Sequence, residues 1–282
     1  MKVLVTGATG FIGQYVIPQL ILNGHQVHAV ARDKDKARCF DWYKQVEFTS
    51  YDITRNNNNL IDQFSECDAT IHLAWSGLPN YDELFHFEKN LFADYFFLKA
   101  LINKGMNHIL VTGTCFEYGM KNGCLSESMH TQPVNSYALA KDTLRKFLVA
   151  MQKDKIFNLQ WARLFYIYGQ GQSSSSLISQ LDRAIDNGDF SFDMSKGDQL
   201  RDYLPVEEVA RRLVLLLENP IYNGVTNICS GEPISIRQLV EEHIEKRGVK
   251  MQLNLGFYPY SNFESKEFWG KSSIFNKNGK LV

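Results

Sequence analysis

The segment Thr6-Gly7-Ala8-Thr9-Gly10-Phe11-Ile12-Gly13 constrains this chain more than any other stretch of it. It follows a β-branched run, Lys2–Thr6, and leads into Phe11–Asn23, where Phe11, Ile12, Tyr15, Val16 and Leu20 recur at helical spacing before Gly24 stops the pattern. A glycine series placed between a strand and a helix has three separable uses. Gly7 permits the tight turn, Gly10 lets the backbone come close to a pyrophosphate, and Gly13 allows the helix to pack closely. The open N–H groups and the positive end of the helix then face an anion. The competing reading, a tight turn with no ligand, fits poorly with a position at the head of an alternating chain.

That alternation continues. Gln26–Ala31, Val46–Thr49, Ala69–Ala74, Ile109–Thr112 and Leu159–Leu164 read as further strands, separated by helical patterns over Lys34–Tyr43, Asp82–Asn103 and Ser136–Met151, the last capped by Asn135 or Ser136. The polar run Asn56–Asn59 reads as a loop and helix start. Helix 82–103 carries too many apolar positions for an ordinary surface stripe, so it is buried on two sides or forms a subunit interface. After about residue 165 the pieces shorten to a Gly/Ser segment, a helix near Leu177–Asn187, a hairpin-like stretch and helices at Val206–Glu218 and Ile236–Lys246. The expected fold is α/β: a Rossmann-type, doubly wound parallel sheet over residues 1–165, with a smaller C-terminal α/β substrate lobe over 166–282 and a soft, interleaved boundary.

Charge excludes some partners. Thirty Lys+Arg against thirty-one Asp+Glu leave a net charge of −1, so no global field is available to hold a nucleic acid or an anionic membrane. Five cysteines, scattered and without ligand spacing, argue for reduced thiols and no structural metal. No leader pattern and no run of roughly 18 apolar residues is present, so a soluble cytoplasmic protein is expected.

Two clusters carry chemistry. Tyr137 and Lys141 stand four apart on a predicted helix and share a face, and an ammonium beside a phenol, whose pKa is ordinarily about 10, favours the phenolate. The end of the second strand reads Val30-Ala31-Arg32, where an NAD-selective site has an acid. Arg32, with Lys34, Lys36 and Arg38 nearby, suits a 2′-phosphate and predicts NADP(H) preference. Asp33 keeps NAD(H) open, and a solvated helix start is the bland alternative.

The GxxGxxG spacing, followed by Asp52-Ile53, His72-Leu73-Ala74, Tyr118-Gly119, Tyr137 with Lys141, Arg163 with Tyr168-Gly169, Arg201-Asp202-Tyr203 and Asn227 through Gly231, resembles the extended short-chain dehydrogenase/reductase superfamily of nucleotide-sugar epimerases, dehydratases and reductases. In wording the chain is most similar to the dTDP-4-dehydro-6-deoxyhexose reductases that form dTDP-fucose or dTDP-6-deoxytalose, with CDP-sugar reductases also similar. The resemblance implies that Gly7, Thr9, Gly10, Phe11, Ile12 and Gly13 hold the cofactor diphosphate, Asp52 and Ile53 contact its adenine, and Leu73 and Ala74 line the nicotinamide side. It makes Thr114, four before Tyr118, the hydroxyl that orients the substrate oxygen. Tyr137 then passes the proton, and Lys141 lowers the phenol pKa and bonds the nicotinamide ribose.

On the substrate side the resemblance points to Arg201 for the diphosphate and to Arg163 and Tyr166, where Tyr replaces the usual Asn. Trp75, Cys115 and Phe116 also fall there, with Tyr81 beside them, as an apolar wall or ordinary core. Dehydratases carry Asp-Glu directly after the catalytic Thr, and Cys115-Phe116 cannot do that work. Glu117 is structural or a pocket acid. The implied function is NADPH-dependent reduction of a nucleotide-linked 4-keto-6-deoxy sugar in deoxysugar biosynthesis. The alternatives are an NAD-retaining 4-epimerase or a non-catalytic dinucleotide sensor. A homodimer pairing helices 82–103 and 136–151 is expected from the same resemblance.

Overall fold

Val3, Leu4 and Val5 have no solvent-exposed surface, and a run of apolar residues covered on both faces is what a central parallel strand requires. The structure is a computed structural model and describes residues 1–55, 58–260 and 265–282, so residues 56 and 57 of the Asn56–Asn59 run lie outside it. In chain order the strands are β1 (Lys2–Thr6), β2 (Gln26–Ala31), β3 (Glu47–Ser50), β4 (Ala69–His72), β5 (His108–Thr114), β6 (Gly123–Leu125) and β7 (Asn158–Leu164). They continue as β8 (Tyr166–Tyr168), β9 (Ser191–Met194), β10 (Leu200–Pro205), β11 (Gly224–Ile228), β12 (Pro233–Ser235), β13 (Gln252–Leu255) and β14 (Phe268–Gly270). The α-helices are α1 (Gly13–Leu22), α2 (Lys34–Arg38), α3 (Leu91–Asn103), α4 (Ser136–Met151), α5 (Leu177–Asp186), α6 (Val206–Glu218) and α7 (Ile236–Lys246).

Among the described residues seven strands form one parallel sheet in the order β11-β7-β5-β4-β1-β2-β3. The order reverses at β1, which pairs with β2 on one side and β4 on the other, and Thr6 lies opposite both Val30 and His72. The chain leaves β1 and β4 in opposite directions there, so a crevice opens at their C-terminal ends.

Helices cover both faces. On one, Val16, Ile17 and Leu20 of α1 meet Leu213, Val214 and Leu217 of α6, and on the other Leu98 and Leu101 of α3 meet Leu144 and Leu148 of α4. Each of these side chains is at most 1% exposed, so truncating one to alanine costs roughly 2–5 kcal/mol. The Asn135 side chain accepts the Ala138 N–H at 2.8 Å and fixes where α4 begins.

Several local expectations are corrected. The pattern over 34–43 splits into α2 and a 3-10 turn, Asp41–Gln45. The long helix 82–103 is α3 preceded by a π-helical turn, His86–Asn90. It is not buried on two sides within the chain, because Phe92 and Phe96 are each 47% exposed. The hairpin-like stretch is no hairpin: β9 pairs with β13, while β10 pairs with β8 and β12. The two lobes interleave more than a division at 165 implies, since α6 and β11 complete the large sheet and β6 leaves the first half to pair with β14. No helix among the described residues is long and apolar enough to cross a membrane.

Candidate active site

The glycine turn is tight for reasons that can be measured. Gly7 has φ of +70°, the Gly10 N–H donates to Gly7 O at 2.9 Å, and the Ala8 N–H pins the loop to Val30 O at 3.1 Å. A Cβ built on Gly7 would lie 2.8 Å from Ala74 N, and one on Gly13 would lie 2.4 Å from Gly7 O. Both positions therefore exclude a side chain, and the bare backbone they leave at the start of α1 fits a dinucleotide diphosphate. Gly7, Thr9 and Gly10 line one groove with Arg32, Asp52, Ile53, Leu73, Ala74 and Trp75. Phe11 and Ile12 turn aside, Phe11 against Tyr15 and Ile12 against the core.

At the far end of the groove Arg32 and Lys36 both line the wall and are exposed. Asp33 has another task, since its carboxylate accepts the Lys36 N–H at 2.9 Å and caps α2. Asp52 is burdened by partial burial, but hydrogen bonds from the Thr54 N–H and hydroxyl hold its pKa below the usual value.

The candidate reacting groups sit where β5 ends against α4. Thr114 is 6% exposed, Tyr137 8% and Lys141 1%. The Thr114 hydroxyl hydrogen-bonds the Tyr137 phenol. Lys141 Nζ donates to Thr112 O at 2.9 Å and lies 4.1 Å from the centre of the Trp75 ring. Burial pushes the phenol pKa far up, reinforced by Tyr81, Glu117 and Cys115, and the Thr114 hydrogen bond only partly opposes it. Burial also pulls the Lys141 pKa down to about 8, against the carboxylates of Asp94 and Glu117. The phenol thus holds its proton, the state from which it can donate.

Glu117 supports this arrangement from below. It is fully buried and accepts from Thr114 N at 2.9 Å, Trp161 Nε1 at 3.0 Å and Arg163 Nε at 2.7 Å, while Thr114 Oγ1 accepts the Phe116 N–H at 3.3 Å. Arg163, expected on the substrate side, is thereby corrected: it is 2% exposed, paired with Glu117 and stacked 4.5 Å over Tyr118. A strand buried on both faces, as β7 is, carries no alternation that could have signalled the inward direction.

Phe116 and Tyr81 meet edge to face at 5.3 Å, and Tyr166 meets Phe116 the same way at 6.0 Å, making a partly open aromatic wall beside Tyr137. Cys115 packs inward with Tyr118, Phe165 and Cys229. Arg201 also departs from expectation. It has no exposed surface, lies 4.8 Å over Phe268, and donates to Leu200 O, Lys266 O and the Tyr166 hydroxyl, so its guanidinium faces protein where a diphosphate was anticipated. Neighbouring Asp202 accepts the N–H groups of Ser230, Gly231 and Gly270.

Five polar residues beside the site, Thr6, His72, Asp94, His86 and Asn90, were given no site role by sequence reasoning. Thr6 Oγ1 links His72 Nδ1 at 2.9 Å to the Ala74 N–H, and His72 Nε2 lies 3.2 Å from Asp94. His86 accepts from Trp75 Nε1 at 3.0 Å, and Asn90 bonds Ser76 O at 2.9 Å. Thr6 and His72 fall within the quoted motifs, whereas Asp94 and His86 carry no signal beyond being polar residues inside an apolar pattern.

The family model described as the NAD dependent epimerase/dehydratase family matches residues 3–229. The chain is 29% identical over 275 residues to dTDP-6-deoxy-L-talose 4-dehydrogenase (NAD(+)) of Aggregatibacter actinomycetemcomitans, covering 96% of this chain and 99% of that one. It is 27% identical to dTDP-4-dehydro-6-deoxyglucose reductase of Escherichia coli, covering 85% of this chain and 79% of that one. Among solved structures, the fold superposes on UDP-N-acetylglucosamine 4-epimerase from Methanobrevibacter ruminantium M1 with a TM-score of 0.86 and 23% identity, covering 96% and 89% of the two chains. It also superposes on MoeE5, solved with UDP-glucose and NAD, with a TM-score of 0.81 and 25% identity, covering 97% and 90%. The chain belongs to the NAD dependent epimerase/dehydratase family and is an NAD(P)-dependent oxidoreductase.

Proposed function

We propose that the protein interconverts the 4-keto and 4-hydroxy forms of a nucleotide-diphospho-6-deoxyhexose, in the reductive direction and on a dTDP-linked sugar. The observation that carries this reading is the buried group of Thr114, Tyr137 and Lys141 at the nicotinamide end of the groove, with Cys115 and Phe116 where dehydration would need carboxylates. Both curated relatives described above are named for chemistry at C4 of a dTDP-6-deoxyhexose.

A nicotinamide dinucleotide bound in the groove supplies the hydride. The chain's own residues do the rest. The Thr114 hydroxyl, set by its capping turn, holds the carbonyl oxygen. Tyr137, whose proton burial retains, delivers it to that oxygen as charge develops. Lys141 then stabilises the phenolate left behind. The wall of Tyr81, Phe116 and Tyr166 suits an apolar C6 methyl better than a C6 hydroxyl or carboxylate.

NADP(H) preference is supported by Arg32 and Lys36 at the lip of the groove and by the use of Asp33 as a helix cap. NAD(H) is the second reading, favoured by the NAD(+) for which the dTDP-6-deoxy-L-talose 4-dehydrogenase is named. A homodimer is supported by Phe92, Phe96, Leu139 and Phe147, which leave an apolar face on α3 and α4.

The test mixes the protein with NADPH or NADH and a panel of dTDP-, CDP- and GDP-4-keto-6-deoxy sugars and follows loss of reduced-nicotinamide absorbance. Oxidation with a dTDP sugar, reduced about 100-fold or more in Tyr137→Phe, is expected. Interconversion of two sugar epimers with no net oxidation of either cofactor would overturn the reading.

A further inference from the structure

The catalytic lysine is covered by an aromatic face that is itself held in place. Trp75 lies 4.1 Å from Lys141 Nζ, and its indole N–H donates to His86 Nδ1 at 3.0 Å. With Nδ1 accepting, His86 carries its proton on Nε2 and donates it to Asn80 O at 2.8 Å. His86 is fully buried in the π-helical turn, and its ring lies 6.1 Å from that of Trp75 and 5.4 Å from that of Tyr137. A ring anchored at one edge and facing an ammonium stabilises the charged form and fixes where it stands.

From this geometry we propose that Trp75 is a positioning residue for Lys141, with His86 as the anchor that fixes the plane of the indole. The assignment rests on the reading of Lys141 as part of the active site, and it adds a task to a tryptophan that the sequence placed against the substrate.

Opposing effects set the charge of Lys141. Burial alone destabilises the Lys141 ammonium, and the titratable groups that act on it are Asp94 from α3, Glu117 from the turn after β5 and His86 from the π turn. Asp94 and Glu117 oppose the loss of charge. The indole face adds to them at short range and, unlike a carboxylate, does so without accepting the Nζ proton, so the hydrogen bond to Thr112 O survives. His86 suits the anchoring role because burial, with a smaller push from Lys141, lowers its pKa and keeps Nδ1 open to the indole. A protonated His86 would present a second N–H to the Trp75 N–H and release it.

The experiment reads Lys141 directly. Protein labelled with carbon-13 at the lysine ε position is titrated by NMR, and the Lys141 resonance is identified by its loss in Lys141→Met. Trp75→Leu is expected to move its titration midpoint down by roughly half to one pH unit, and Trp75→Phe by less. His86→Leu is expected to behave like a weaker Trp75→Leu, while His86→Gln, whose amide oxygen can accept the indole N–H, restores most of the wild-type midpoint. Melting curves establish that each variant is folded. If a variant fails to fold, the Trp75→Phe and His86→Gln pair decides. A folded Trp75→Leu with an unchanged midpoint overturns the proposal, as does a His86→Gln no closer to wild type than His86→Leu. Because this measurement involves no turnover, failure of the proposed reaction leaves its outcome readable. Where turnover of the dTDP-4-keto sugar is measurable, the alkaline limb of kcat moves in the same direction as the midpoint.

Discussion

Replacing Lys141 with methionine should abolish activity and make the protein more stable at neutral pH. The lysine is 1% exposed and its pKa falls from 10.5 in the unfolded chain to about 8 in the folded protein, which corresponds to roughly 3 kcal/mol spent keeping a charge in a buried place. Methionine fills nearly the same volume without that cost. Two losses offset part of the gain: the contact with the Trp75 face, worth about 1 kcal/mol, and the hydrogen bond to Thr112 O, worth about another. The net expectation is stabilisation of about 1 kcal/mol at pH 7. The pH dependence is the sharper signature. Between about pH 8 and 10.5 the unfolded chain keeps the lysine proton while the folded chain has released it, so wild-type stability rises with pH relative to the variant. Urea denaturation of both proteins at pH 7 and pH 10 reads the effect, and groups common to both cancel in the difference. An advantage for Lys141→Met that is the same at both pH values would refute the argument, because it would locate the gain in packing and not in the buried charge.

Three further outcomes follow from the site. Arg32→Ala should raise the KM for NADPH about tenfold or more and leave that for NADH nearly unchanged, as steady-state kinetics with each cofactor would record. Glu117→Ala strands the buried Arg163 guanidinium and should cost about 3–5 kcal/mol in a denaturant titration, with kcat lowered because Thr114 loses its N–H acceptor. Phe96→Asp, placed in the exposed aromatic face of α3, should shift light-scattering mass from dimer to monomer, and a wild-type protein already monomeric at micromolar concentration would remove the dimer from the account.

How much of this was readable beforehand depended on whether the cause was local. The limits of α6 and α7 and the start of α4 come directly from apolar spacing and caps, and Tyr137 with Lys141 follows once α4 is placed. The glycine turn is local in part: Gly10 and Gly13 crowd Gly7 and Ala8 within the loop itself, whereas the close contact of Gly7 with Ala74 comes from the segment after β4. The π turn at His86–Asn90 was not readable, because inserting one residue per turn leaves the apolar spacing on either side intact. Arg163 and Arg201 were placed against a ligand by the family resemblance, which says nothing of what packs around them. The partners that bury them, Glu117 and the Lys266 carbonyl, are distant in sequence and carry no mark of the pairing. The split pairing of β9 and β10 is likewise decided by strands that come later in the chain.

The late arrival of β11 has a consequence for how the protein is made. A growing chain that has been synthesised only to residue 165 has β7 as the outer strand of its sheet, although in the finished protein β11 lies along it and Trp161 and Ala162 are fully covered. Until Gly224–Ile228 and α6 have left the ribosome, the nascent half-protein carries an open edge beside an apolar face. Fragments cut at the apparent lobe boundary should therefore aggregate, whereas a split placed after residue 228 would leave the large sheet whole.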